Sequence, residues 1–397
     1  MSRPDDSSPK GGKTTSPPDR LRIGFLAPEL PPMMGGMSEL ARCLGRELAR
    51  RDAVEVFSAP GHRIPDGTSR AGALSRRPWR ALDALQAAEH SIDLWLAMNA
   101  GLLPLARHLE RPLVAYVHGN DFLQPWLACG PRWLEALRRP VAPRLRLPLR
   151  RRALAAALPH VAAVLTNSRQ TKERFIAALG GPAQQVAVHP PGVDDVFFQP
   201  LEPAAERNRG DTLHLLTVSR LSRHTRRKNV DGVLEALALL ARDDSAPRIR
   251  YDVVGDGDDR ARLEALAAAL ELDASVRFLG AVARDELLAA YRRADLFVLA
   301  SRATSDDVEG FGIVYMEASA AGTPVLASRA GGAIDAVDEG HNGFLVDASD
   351  PTTLADAFRR FAAERSRYSP ETTRAVAERY RWPSVAAAIR EDLLTVL

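Results

Sequence analysis

Apolar residues in this chain come in two rhythms that alternate along its length. Short continuous runs at 22–27, 54–59, 92–97, 113–118, 161–166 and 186–189 read as buried strands. Between several of them apolar positions return every three or four residues, as at Leu40, Ala41, Leu44 and Leu48, which is the spacing of one helix face. Strands that alternate with helices in this way predict parallel, doubly wound winding. Pro190, Pro191 and Gly192 close the series with a stiff connection of the kind a domain hinge needs.

The rhythm restarts at 213–219 and continues through strands at 250–254, 276–279, 296–300 and 325–327. The expected fold class is therefore α/β, with two Rossmann-like doubly wound domains. A length of 397 residues exceeds what one core usually holds and agrees with two. The expected division is a disordered leader over 1–19, rich in Pro, Ser, Gly and Lys, and a first domain over 20–195. A polar linker over 196–211, a second domain over 212–381 and a C-terminal helix over 382–397, opened by Trp382 and Pro383, complete it.

Composition narrows the class. Hydrophobic residues at 46% and charged residues at 26% describe a soluble globular protein. A net charge of +3 is small for this length, so basicity acts only where it is local. It is local between Arg132 and Arg152, where eight arginines face the single acid Glu135, with Trp126, Trp133, Leu134 and Leu137 nearby. That segment suits an anionic membrane surface; a solvated, arginine-rich helix pair, broken by Pro140, Pro143 and Pro148, explains it equally well. No nucleic-acid recognition motif accompanies the charge, so nucleic acid is not an expected partner. Cys43, on a helical apolar face, and Cys129 fit neither a disulfide framework nor a metal-ligand pattern, and suit a reducing compartment. No run of about eighteen apolar residues exists to span a membrane, and the N-terminus lacks the apolar core of a secretory signal. The expected location is cytoplasmic, peripheral on the cytoplasmic face of the membrane if the arginine segment binds lipid.

Candidate chemistry gathers at the carboxyl ends of the predicted strands, where open α/β sheets bind ligands. The densest stretch runs over 300–332. Glu309 precedes the turn Gly310-Phe311-Gly312, and Glu317 follows in the next helix. The glycines let backbone approach a ligand, and the helix start offers free N–H groups to an anion. Two carboxylates there can grip hydroxyls; a dipole-matched acid and a buried, satisfied Glu account for the same pattern. Gly35 and Gly36 open a helix after the first strand, a place for phosphate or sugar contact. His118 and Asp121, at the end of 113–118, read as a sugar contact, a loop-capping histidine or a hydrolytic pair, although no Gly-x-Ser-x-Gly elbow supplies the last with a nucleophile. Arg220, followed by Arg226, Arg227 and Lys228 before a helix near Asn229, suits a diphosphate, with a planar fork and a point charge in place of a metal, solvated surface cations being the other reading. Asp256 and Asp258 resemble a metal-holding acid pair, but Asp258 reads better as the cap of the next helix.

With these residues in view, the chain resembles the family 4 retaining glycosyltransferases of the GT-B fold, in which two Rossmann-like domains face a central cleft. The resemblance runs from about Arg22 to Arg381. Its most specific element is the pair Glu309-x7-Glu317, followed by Ala320-Ala321-Gly322-Thr323-Pro324-Val325 and by Gly331-Gly332. It implies that Glu317 holds the ribose of a nucleotide sugar and that Glu309 binds its sugar hydroxyls, helped by backbone around Gly310, Phe311, Gly312 and Ile313. Arg220 and Lys228 would bind the diphosphate, with Gly35 and Gly36 closing over it. His118 would sit at the sugar, Asp121 would complete that segment, and Val282 would meet the base through backbone. One departure is the long spacing from Arg220 to Lys228, which gives Arg226 or Arg227 a share in the lysine's role.

The implied activity is metal-independent, retaining transfer of a hexosyl group from a nucleotide-diphosphate sugar, such as GDP-mannose or UDP-glucose. No cofactor is expected beyond that donor. The acceptor class is a glycan or lipid-linked precursor of cell-envelope polysaccharide or glycolipid. Two alternatives stand beside it: a transferase making a soluble disaccharide-type product, and a degenerate sugar-nucleotide-binding scaffold.

Overall fold

The computed structural model describes residues 19–33, 35–74, 77–123, 143–201, 212–303, 307–348 and 350–397, with backbone alone over 143–146. Residues 1–18 of the expected leader over 1–19, 202–211 of the expected linker over 196–211, 132–142 of the arginine segment over 132–152, and Cys129 lie outside the described residues.

Two parallel sheets carry the chain. The first comprises β1 (Arg22–Leu26), β2 (Ala53–Ser58), β3 (Ser69–Ala73), β4 (Leu94–Ala97), β5 (Leu113–Val117), β6 (Ala163–Thr166) and β7 (Val186–Val188), in the order β3-β2-β1-β4-β5-β6-β7. The second comprises β8 (Thr212–Val218), β9 (Arg248–Val254), β10 (Val276–Gly280), β11 (Leu296–Leu299), β12 (Val325–Ser328) and β13 (Gly343–Val346), in the order β10-β9-β8-β11-β12-β13. Each winds outward from its first strand and then reverses, so each has a switch point, between β1 and β4 and between β8 and β11. Crevices at the carboxyl ends of such neighbours are where doubly wound sheets bind ligands.

Helices cover both faces of each sheet, which is why the central strands read as unbroken apolar runs. In the first sheet β4 and β5 are wholly buried, with Trp95 and Tyr116 at the centre. In the second, Tyr251, Tyr291 and Tyr315 fill the corresponding layers. The edge strand β3 is largely exposed and carries no apolar pattern, so hydrophobic spacing does not reveal it.

Two crossings join the halves. Val193 N donates to Tyr380 O at 2.7 Å, laying the outgoing hinge beside the returning chain. The last helix, Trp382–Thr395, then docks on the first domain beside helix Gly36–Leu48. Trp382 packs beneath Gly192, Arg390 pairs with buried Asp52 at 2.9 Å, and His189 Nε2 lies 2.7 Å from Asp392.

Candidate active site

Strand order alone brings Arg220, Lys228 and Glu309 to one place. β8 and β11 are paired neighbours, so the loops leaving their carboxyl ends lie side by side. The first of these loops carries Arg220 and then a 3-10 segment, Arg223–Lys228. Ser222 caps that segment, its Oγ accepting from His224 N at 3.3 Å while its own N donates to Thr225 Oγ1 at 3.2 Å. Asn229 ends it in the left-handed region at φ 61°. A polar side chain makes that conformation tolerable: the Asn229 amide donates to Ala300 O at 2.9 Å and Ala348 O at 3.0 Å. This staple fixes Arg227 and Lys228 against the loop after β11.

Glu309 stands in that second loop. Lys228 Nζ contacts Glu309 Oε2, and Arg227 Nη1 lies 3.1 Å from the same oxygen. Burial alone would raise the Glu309 carboxyl, but the two cations outweigh it and hold the group down to about 2. Burial in turn depresses Lys228, despite Glu309. Arg227 Nε also lies 2.7 Å from Asp307 Oδ1, and Asn120 of the first domain donates to that oxygen at 2.5 Å.

Beyond Glu309 the backbone needs glycine for closeness. A Cβ on Gly310 would stand 2.9 Å from His118 O and 2.8 Å from Asn167 Nδ2, both across the cleft. Gly312, at φ 81°, turns the chain into helix Ile313–Ala320. The Phe311 ring is buried against Tyr380, with centroids 5.6 Å apart, so its backbone is what it can offer a ligand. One further turn into the helix, Glu317 Oε2 accepts from Tyr291 Oη at 2.8 Å. Burial lifts Glu317 to about 7 in spite of that bond.

On the facing side, Gly35 precedes helix Gly36–Leu48 at φ 150°, and a Cβ there would lie 2.5 Å from Arg220 Nη2. Gly36 has open space around its Cβ position. The His118 ring turns Nε2 toward Met98 O at 3.1 Å, and burial pushes the ring below its ordinary value despite nearby Asp121. Asp121 holds backbone, accepting from His118 N at 3.0 Å and Ala100 N at 2.9 Å. The hydrolytic-pair reading therefore fails, because the carboxylate orders the loop and the imidazole bonds elsewhere.

A second bridge between the domains lies at the Glu317 end. Arg284, first residue of helix Arg284–Arg293, reaches Asp194 at 2.5 Å and contacts Glu39. Arg42 joins the same acids, at 2.6 Å from Glu39 and 3.4 Å from Asp194. Glu39, Cys43 and Asp194 are spaced closely enough to hold a metal ion, yet these arginines already supply their positive charge. Burial and then Glu39 push the Cys43 thiol up to about 12, so it is inert.

Comparison with known proteins settles the family. Glycosyltransferase Family 4 matches residues 34–197, and Glycosyl transferases group 1 matches residues 199–380. A GDP-mannose-dependent alpha-(1-6)-phosphatidylinositol monomannoside mannosyltransferase of Mycobacterium tuberculosis is 35% identical over 94% of this chain and 98% of its own length. The chain is a family 4 glycosyltransferase.

The protein of that same name from Mycolicibacterium smegmatis is 30% identical over 85% of this chain and 88% of its own. Among solved structures, Anabaena HepE in complex with UDP superposes with a TM-score of 0.72 at 23% identity, over 94% of this chain and all of that one. That likeness carries the GT-B fold. As a family member the chain transfers glycosyl groups from a nucleotide sugar.

One expectation is corrected and another narrowed. Asp258 does not cap the helix: Asp259 holds that position, while Asp258 accepts from Arg223 N at 2.9 Å. Arg226 does not share the role of Lys228, since it pairs with Asp259 at 2.9 Å. Arg227 does reach the site, but its observed partners are carboxylates. Val282 follows β10, packs half-buried against the core and lies two residues before Arg284. Tyr291, Arg284, Glu39 and Asp307 escaped the sequence reading. Tyr291 sits in an ordinary amphipathic helix, and the others pair with residues far along the chain, so spacing carries no signal for them.

Proposed function

We propose that this glycosyltransferase is a retaining, metal-independent hexosyltransferase acting on a lipid-linked or glycan acceptor at a membrane surface. The observation that carries the reading is the juxtaposition of Arg220, Lys228, Arg227 and Glu309 at one switch point, opposite Gly35 and His118. In this reading the diphosphate lies between Arg220, Lys228 and the start of helix Gly36–Leu48. The sugar lies between Glu309, the backbone of 310–313 and His118. The ribose lies on Glu317, and the base near Val282.

The mechanism follows from where charge develops. As the anomeric carbon–oxygen bond breaks, negative charge grows on the leaving diphosphate and positive charge on the sugar ring. Cations and helix N–H groups aimed at the phosphate oxygen stabilise the former, and removal of one such donor costs on the order of 100-fold in comparable sites. The acceptor hydroxyl attacks on the face the phosphate leaves, a phosphate oxygen takes its proton, and configuration is retained. Glu309, held down to about 2 by Lys228 and Arg227, serves in this reading as a hydroxyl acceptor rather than a proton source. Metal independence rests in this reading on charge: Arg220 and Lys228 supply beside the diphosphate the positive charge that a metal would otherwise bring, as a planar fork and a point charge. The domain contacts at Gly310 and Asn120 would exclude water from the sugar.

The names of the relatives make GDP-mannose the first donor to supply and a phosphatidylinositol-based glycolipid the first acceptor. Turnover would be followed in the presence of EDTA, with proton NMR of the product. An α-linked hexoside formed at an undiminished rate supports the reading, and inverted configuration or loss of rate with chelator overturns it. Membrane attachment would run through the arginine segment that ends at Arg152. Arg151 donates to Leu123 O at 2.9 Å and is structural, so Arg150→Glu with Arg152→Glu is the informative pair. Unchanged sedimentation with anionic vesicles would remove the membrane from the proposal. No helix among the described residues is long and apolar enough to cross it.

A further inference from the structure

Two cations converge on Glu309, and they are not equivalent. Lys228 presents one ammonium on a flexible stem, which suits a ligand that comes and goes. Arg227 spans two acids at once, with Nη1 3.1 Å from Glu309 Oε2 and Nε 2.7 Å from Asp307 Oδ1. Its side chain is 15% exposed and Glu309 is 10% exposed, so this is an ion pair largely out of water. Asp307 is itself tied across the cleft, since Asn120 donates to its Oδ1 at 2.5 Å and to Val308 O at 3.3 Å. Two cations thus balance two carboxylates in this part of the cleft. A donor upsets that balance by bringing two phosphate charges next to Lys228.

We propose that Arg227 is a positioning residue for the donor-sugar acid: it holds Glu309 ionised and aimed after Lys228 has turned to the diphosphate, and Asp307 with Asn120 locks it in place when the cleft closes. This inference rests on the proposed donor site. It gives Arg227 a role different from that of a phosphate ligand, which the run Arg226-Arg227-Lys228 had suggested. The physical reason is that a lone carboxylate facing a sugar in a water-poor site would take up a proton unless a cation stays beside it. A protonated acid keeps one accepting oxygen and loses its grip on paired hydroxyls. Lys228 has three N–H donors but a single charge, and two phosphates drawn to it leave less of that charge for Glu309. Arg227, braced by Asp307, need not move. Asn120 belongs to the loop that carries His118, so the brace forms only where the two domains meet.

The test compares the wild-type chain with Arg227→Met, Arg227→Lys and Asp307→Asn. UDP and GDP binding is measured by calorimetry, and turnover is measured with whichever sugar nucleotide the wild type uses. Arg227→Met is expected to bind the nucleoside diphosphate within about twofold of wild type, because no sugar is present to need Glu309, and to lose about 100-fold in kcat/KM for the sugar nucleotide. Arg227→Lys should recover part of that loss, and Asp307→Asn should show a smaller one. Should the methionine variant fail to fold, the lysine variant carries the same comparison of binding against turnover. A fall in nucleoside diphosphate affinity that matches the fall in turnover would make Arg227 a phosphate ligand and overturn the proposal, as would unchanged turnover. A wild-type chain that neither binds a nucleotide nor consumes any sugar nucleotide defeats the donor site itself, and is seen before any variant is made.

Discussion

A side-chain carbon on Gly35 would stand 2.5 Å from Nη2 of Arg220, although the two residues belong to different domains. The glycine therefore sets how closely the first domain can approach the phosphate-end arginine. Gly35→Ala adds a methyl group that displaces the guanidinium or holds the cleft open, at a φ of 150° that alanine rarely adopts. We expect kcat/KM for the donor to fall by about 100-fold, the size of losing one charge-directed donor. The loop lies at the cleft rather than in either core, so the thermal midpoint should stay near that of wild type. Steady-state kinetics beside a melting curve check both halves, and full activity in the variant would remove Gly35 from the closed site.

What could be read in the sequence and what could not divide along physical lines. The strands at 22–27, 113–118, 213–219 and 296–300 announced themselves because both faces of a parallel sheet are covered and most of their positions are apolar. β3 could not be found that way, since Ser69–Ala73 is an exposed edge with nothing to bury. Glu309, Arg220 and Lys228 could be picked as candidates because chemistry at the carboxyl end of a strand has a place to act. The choice between Arg226 and Arg227 was not visible, because a kinked 3-10 segment and the αL turn at Asn229 decide which guanidinium faces Glu309. Pairs such as Asn120 with Asp307 are 187 residues apart and exist only once the domains meet.

Tyr291 bonds Glu317 from a fully buried position, its ring packed edge-on to Phe197 at 5.7 Å. Tyr291→Phe keeps that packing and removes one charge-assisted hydrogen bond. Such a bond contributes about 1.5–3 kcal/mol, so donor affinity should weaken by roughly 10- to 100-fold if Glu317 must be aimed to hold the ribose. Calorimetry with the nucleotide sugar measures it. A variant that binds as tightly as wild type would show that Glu317 needs no orienting partner.

Donor affinity should also depend on pH through the same carboxyl. Glu317 is lifted to about 7 from an ordinary 4.5, chiefly by burial, with Tyr291, Arg284, Glu39 and Asp194 as the groups that act on it. Because the folded value lies above the unfolded one, this group's contribution to stability is full below about 4.5 and falls as pH rises toward 7. Ribose binding has the opposite sign, since the ionised form accepts from both hydroxyls. Affinity for a nucleotide sugar, whose diester phosphates do not titrate in this range, is expected to rise between pH 6 and about 8. Glu317→Gln should flatten the curve, and a slope that survives in that variant would assign the effect to another group.

Arg284 makes the last case, because one guanidinium ties the second domain both to helix Gly36–Leu48, through Glu39, and to the hinge, through Asp194. Burial would lower Glu39's affinity for its charge, yet Arg42 and Arg284 hold the group down to about 2. Side chains here are partly exposed, 41% for Arg284 and 35% for Glu39, so solvent screening leaves each pair modest in energy. Geometry gives the cluster its leverage: it spans the cleft beside Glu317 and closes only when the domains do. Arg284→Glu places a third carboxylate between two others and should open the cleft, seen as a larger radius of gyration in solution scattering and at least a tenfold loss in donor kcat/KM. Adding Glu39→Arg restores an opposite-charge pair across the gap and should recover part of both. Raising salt should shift the wild type toward the open form and leave the Arg284→Glu variant little changed. An unaltered scattering profile in the single variant would show that the glycine contacts and the Asn120–Asp307 bond suffice to hold the domains together.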